Sequence, residues 1–133
     1  MILRKYMALI GIGSAKIDLI LEKVTYKPGE QVKGYFMVKG GTIEQQLRRI
    51  DCDFVRVNED SSNEEEQVID SITIFTTKNI EADVVSKIPF TFVLPQSLRT
   101  DCDSDFCFKS KLTFNQGVES LDYDDINIEK EMI

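Results

Sequence analysis

Two runs of alternating apolar and polar residues, joined by a five-residue turn, constrain the fold more than anything else in the chain. In the first run, Ala15, Ile17, Leu19 and Leu21 share one parity, while Lys16, Asp18 and Glu22 take most of the other. A period of two is the signature of a strand with one face in a core and one in solvent. Ile20 is the one apolar residue out of step. The second run repeats the pattern, with Val32, Phe36 and Val38 on one side and Gln31, Lys33, Tyr35 and Lys39 on the other. Gly34 falls on the inner side, where a missing side chain marks a bulge or a close backbone approach. Between the runs lies Tyr26-Lys27-Pro28-Gly29-Glu30. Pro28 presets φ for the first central position of a turn and Gly29 accepts positive φ at the second, so the spacing predicts a type II turn.

Further strands follow by the same reasoning. Leu47 to Val57 alternates, with Ile50, Cys52 and Phe54 facing inward and Asp51, Asp53 and Val55 outward. Val68 to Thr77 places Ile72 and Ile74 inward, and Val84 to Leu94 does the same with Ile88, Phe90, Phe92 and Leu94. Pro89 cannot donate to a ladder, so its strand is expected at a sheet edge or at a bulge. Phe106, Phe108, Ser110, Leu112 and Phe114 recur at every second position, and a last run carries Ile126 and Ile128. Between two of these runs, Glu59 to Glu66 is wholly polar with five negative charges, which reads as a solvated hairpin tip. Seven strands with regular turn signals and no sustained helical period predict an all-β, immunoglobulin-like antiparallel sandwich.

The amino-terminal stretch differs. Residues 1–13 are expected to form a short helical segment and hinge ahead of a β-sandwich domain at 14–133. Ile2, Leu3, Tyr6, Met7, Leu9 and Ile10 supply apolar surface beside Arg4 and Lys5. A helix this short needs something to pack on. It can cover an open end of the core, dock on a partner or a second copy, or lie on a membrane surface. These six residues are the candidate contact site. Gly11-Ile12-Gly13 lacks a preceding strand and a third glycine, so it is not a dinucleotide loop.

Composition narrows the function. A length of 133 residues makes one domain, and its longest uncharged apolar run, Tyr6 to Ile12, is far short of a membrane span. No export signal is evident and three cysteines are an odd number, so a cytoplasmic protein with reduced thiols is expected. Residues 1–57 carry ten Lys and Arg against six Asp and Glu, whereas residues 58–133 carry six against seventeen. An acidic chain repels phosphate, which argues against nucleic acid as a partner.

Chemistry is sparse. Without histidine the chain lacks the commonest general base and metal ligand near neutral pH. Asp101, Asp103 and Asp105 have the first spacings of a calcium loop, but Phe106 stands where glycine is required and Leu112 where the closing glutamate belongs. Cys52, Cys102 and Cys107 cannot complete a four-ligand zinc site. Asp51 and Asp53 share an outward strand face and read as solubilising groups. No catalytic residue, cofactor or resident metal is expected, and the chain reads as a non-enzyme.

The order and spacing of several short motifs carry a resemblance. They are Gly11-Ile12-Gly13-Ser14-Ala15-Lys16-Ile17-Asp18, Tyr26 to Gly34, Val38-Lys39-Gly40-Gly41, Arg49-Ile50-Asp51, Pro89 to Pro95 and Asp124-Asp125-Ile126. Together they resemble the amino-terminal half of the bacterial sporulation-control proteins of the stage-zero M type, within the arrestin-like superfamily. That likeness implies an arrestin-like lobe acting as a non-enzymatic regulator of sporulation through protein contacts, and it supplies no catalytic site. The family has two such lobes, of which this chain matches one. Glu81-Ala82-Asp83 stands where the family has a second Pro-Gly-Glu turn, and Asp101 to Cys107 departs from the family pattern.

Overall fold

The computed structural model describes residues 15–60, 63–98, 104–115 and 119–129. Nine strands follow in order: β1 (Lys16–Leu21), β2 (Thr25–Tyr26), β3 (Gln31–Lys39), β4 (Gln45–Asp60), β5 (Asn63–Phe75), β6 (Asn79–Ile80), β7 (Val85–Val93), β8 (Ser104–Phe114) and β9 (Glu119–Ile128). They form two sheets, β1-β3-β7 and β2-β9-β8-β4-β5, with β6 paired to β4. Every pairing is antiparallel except the two-residue ladder between β2 and β9. The expected sandwich is therefore present. Among the described residues there is no helix, and so none long and apolar enough to cross a membrane.

The opening hairpin forms as its alternation requires. β1 and β3 pair in continuous register from Lys16 opposite Lys39 to Leu21 opposite Gly34. Ala15, Ile17, Leu19, Val32, Phe36 and Val38 are all buried. Glu30 N–H donates to the Lys27 carbonyl at 3.1 Å, and Gly29 has φ of 82°, which is the turn predicted from Pro28-Gly29. The Lys23 ammonium pairs with the Glu30 carboxylate, and Lys27 N–H donates to Glu30 Oε1 at 3.0 Å, so the turn is clasped from both sides.

Gly34 marks a close approach and not a bulge. A Cβ there would lie 2.1 Å from the Ile20 carbonyl oxygen, a backbone atom that cannot swing away. Gly34→Ala is expected to push β1 from β3 and lower stability by about 1–3 kcal/mol, as overpacking does elsewhere. Urea unfolding of the purified variant would measure the loss.

Among the described residues the strand carrying Pro89 pairs only with β3 and so is a sheet edge, as the missing donor requires. The loop before it, Glu81-Ala82-Asp83, keeps a tight turn without glycine. Val84 N–H donates to the Glu81 carbonyl at 3.2 Å, and Asp83 takes the positive φ of 59° that aspartate tolerates better than most residues.

Three expectations need correction. The hairpin expected at Glu59 to Glu66 does join β4 to β5, but its strands run further into the acidic stretch than expected, to Asp60 opposite Asn63. Polarity reported solvent there, and backbone pairing is blind to it. The seven expected strands are joined by β2 and β6, whose two residues each are too few to show a period. The outer face of the larger sheet is also partly buried: Val55, Val57 and Cys107 form a small cluster with Tyr123 against it.

The main core lies between the sheets. Phe36 and Phe90 meet edge to face with ring centroids 5.2 Å apart. Phe108 packs against Phe54 at 5.2 Å, Phe90 at 5.4 Å and Phe92 at 5.5 Å, so one ring on β8 touches both sheets.

Candidate functional site

Because β1 lies against β9 at one side of the sandwich, β5 and β7 are left at the other. The two sides have different chemistry.

On the closed side, β9 departs from the usual inward pattern. Ser120, Asp122, Asp124 and Ile126 share the parity that faces the core, and Asp122 is fully buried at 0% exposure. Burying a carboxyl group is costly unless something compensates. Part of the compensation is the edge of β1: Leu19 N–H donates to Asp122 Oδ2 at 3.2 Å. An edge strand has a row of backbone donors with no neighbouring strand to receive them, and here a side chain from the opposite sheet supplies one acceptor. Asp18 on β1 and Asp124 on β9, both half-buried, complete a group whose three carboxylate oxygens lie within 4.8 Å of one another. Burial, a hydrogen bond with Asp124 and the nearby charges of Asp124 and Asp18 push the Asp122 carboxyl up to about 9, against the opposing pull of the Leu19 N–H. Near neutral pH it holds a proton, which it can share with Asp124.

The open side consists of two strand edges. Among the described residues, β5 is a 13-residue strand paired on one side only, to β4. Its inner residues Ile69, Ile72 and Ile74 pack on the core. Phe75 is 76% exposed and Val68 is also exposed. The edge of β7 likewise presents Val85 and Val93.

The contact residues expected from the sequence, Ile2, Leu3, Tyr6, Met7, Leu9 and Ile10, lie outside the described residues, as do Asp101 and Asp103. Asp51 and Asp53 are surface groups, as read from their strand face. Asp51 accepts from Thr73 Oγ1 at 2.8 Å and from Arg49 Nε at 3.0 Å, and Asp53 accepts from Ser71 Oγ at 2.7 Å. Cys52 is a free buried thiol within 3.6 Å of the Ser110 hydroxyl, and burial pushes it up to about 12. It is inert as a nucleophile. Cys107 is also buried. Sequence reasoning missed the carboxylate group, although Asp122 and Asp124 stand in the same alternating row as Ile126 and Ile128.

Two stacked, mainly antiparallel sheets whose strands are bridged across one side place the chain among the arrestin-like, immunoglobulin-type sandwiches. The family model described as SpoOM protein matches residues 3–133, and the chain belongs to that family. It is 34% identical over 131 residues to the sporulation-control protein Spo0M of Bacillus subtilis (strain 168), covering 95% of this chain and 51% of the relative. The chain thus spans about half the length of the curated relative it matches. The crystal structure of Spo0M from Bacillus subtilis superposes with a TM-score of 0.79 at 33% identity, over 90% of this chain and 51% of that one. A Niemann-Pick type C2 protein from Japanese carpenter ant shares the fold alone, with a TM-score of 0.58 at 9% identity over 93% of this chain and 99% of that one.

Proposed function

We propose that the chain is a non-enzymatic regulatory module of sporulation that works by protein contact, holding an extended segment of another protein along the free edge of β5. Membership of the SpoOM family supports the regulatory part, since the Bacillus subtilis relative is named for sporulation control. The observation that carries the contact part is the edge itself: 13 residues long, paired on one side, and flanked by exposed Val68 and Phe75. Unpaired strand edges bind partners by adding a strand, with main-chain hydrogen bonds for affinity and side-chain contacts for selectivity. Glu64, Glu65, Glu66 and Asp70 make this strand acidic, so a partner segment with basic and apolar residues fits it.

The test is a double variant, Val68→Lys with Phe75→Glu, expressed in a spore-forming host that lacks its own sporulation-control protein. Both side chains are exposed, so thermal unfolding should stay within about 0.5 kcal/mol of the parent. Spore yield should shift to that of cells without the protein. Parent-like spore yield, with the variant present at parent level, would reject the β5 edge as the working surface.

A further inference from the structure

The outer face of the smaller sheet has a chemistry that neither the core nor the β5 edge uses. Across β1, β3 and β7 the register sets three rows on it: Lys16, Lys39 and Val85; Asp18, Met37 and Lys87; Ile20, Tyr35 and Pro89. In the rows beyond, Lys33 stands opposite Thr91 and Gln31 opposite Val93. Four lysines thus share one face, and all four are exposed. Among the described residues none of them has a carboxylate partner. The one acid on this face of the strands, Asp18, is half-buried and drawn into the seam between β1 and β9 beside Asp122 and Asp124, and Glu22 follows just past the end of β1. Apolar groups lie between the lysines. Val85, Pro89 and Val93 are exposed, and Ile20, Tyr35 and Met37 are half-buried in the middle of the face. The Lys87 ammonium sits 4.9 Å over the Tyr35 ring.

We propose that this face lies on an anionic lipid membrane, with its lysines over the headgroups and Tyr35, Val85, Pro89 and Val93 at the headgroup boundary. Charge complementarity carries the choice. An otherwise acidic chain, at −7 overall, gathers four cations on one side of one sheet. Screening over about 8 Å at physiological ionic strength means that a membrane senses the face laid on it and not the charge of the whole chain. The cations are all lysine: an ammonium is a point charge suited to a diffuse negative surface, whereas forked pairing with a protein carboxylate favours arginine. Lysine stems can also lie along the apolar residues while their heads reach outward, and tyrosine is at home where apolar and aqueous phases meet. The lysine face and the β5 edge are separate surfaces, so either can fail without the other.

Sedimentation of the full chain with sucrose-loaded vesicles tests this, using phosphatidylcholine mixed with phosphatidylglycerol against phosphatidylcholine alone. Each lysine near an anionic surface is worth a factor of about five, so four together give half-binding near 1 mM accessible lipid at low salt. Binding should be confined to the anionic vesicles and should fall steeply as salt rises from about 50 to 500 mM. Lys33→Gln with Lys87→Gln, both exposed and checked as folded by thermal unfolding, should weaken binding about thirtyfold. Lys78→Gln with Lys109→Gln makes the same change of charge away from this face and should alter binding by less than about threefold. Equal sedimentation with both kinds of vesicle would overturn the proposal and point to an acidic protein as the occupant. Binding that survives Lys33→Gln with Lys87→Gln but is lost with Arg4→Gln and Lys5→Gln would also overturn it, placing the membrane contact on the amino-terminal segment.

Discussion

Replacing Phe108 with alanine is expected to cost about 3–5 kcal/mol, the range for a fully buried phenylalanine whose cavity cannot collapse. Phe108 has 0% exposure and packs on Phe54 from its own sheet and on Phe90 and Phe92 from the facing one. Two of its contacts, with Phe90 and Phe92, are edge to face, at 80° and 83° between ring planes. Such pairs add about 0.5–1.5 kcal/mol each beyond the area they bury. A single domain of this size has about 5–15 kcal/mol in all, so the variant should sit near the edge of folding at 37 °C. Denaturant titration would show the midpoint falling with little change in slope. Phe75→Ala is the control: it removes an equally large but exposed ring and should change stability by about 0.5 kcal/mol or less.

The second large effect is one of pH. Folding raises the Asp122 carboxyl from its ordinary value near 3.9 to about 9. Between those values the folded chain holds a proton that the unfolded chain has released. Stability from this group is therefore complete below about pH 4 and falls as pH rises toward 9, by up to about 1.4 kcal/mol per pH unit. That slope opposes the usual behaviour of surface carboxylates, which favour the folded state as pH rises out of the acid range. Asp122→Asn should flatten it. The amide oxygen can still accept from Leu19 N–H, and the amide N–H can donate to Asp124 as the protonated acid does. The variant should then melt above the parent at pH 8 and close to it at pH 5. Parallel melting curves across that interval would show that Asp122 is ionised in the folded chain.

How far the fold could be read in advance varied with the range of the forces involved. The β1–β3 hairpin was legible because alternation and turn chemistry are local: Pro28 and Gly29 set the turn, and Ile17, Leu19, Val32 and Phe36 set the face. Pro89 likewise announced an edge, because a residue without an N–H cannot sit between two strands. The Glu59 to Glu66 stretch misled on how far the strands run, because strand pairing satisfies backbone groups whatever the side chains are. The seam was the least legible feature. Asp18 and Asp122 are 104 positions apart in the chain, and each alone looks like an ordinary surface acid. The one local clue was parity, with Asp122 in step with Ile126.

The amino-acid order by itself determined which residues face the interior, where the first turn falls, and that the product is a pair of stacked sheets. Those outcomes follow from the two-residue repeat of a strand and from the fixed φ of proline, neither of which needs a distant partner. Only the tertiary structure decided which strands became edges and that three aspartates would meet between β1 and β9. Edges and seams depend on how one sheet sits over the other. That placement is fixed by the packing of rings such as Phe54, Phe92 and Phe108, drawn from strands far apart in the chain.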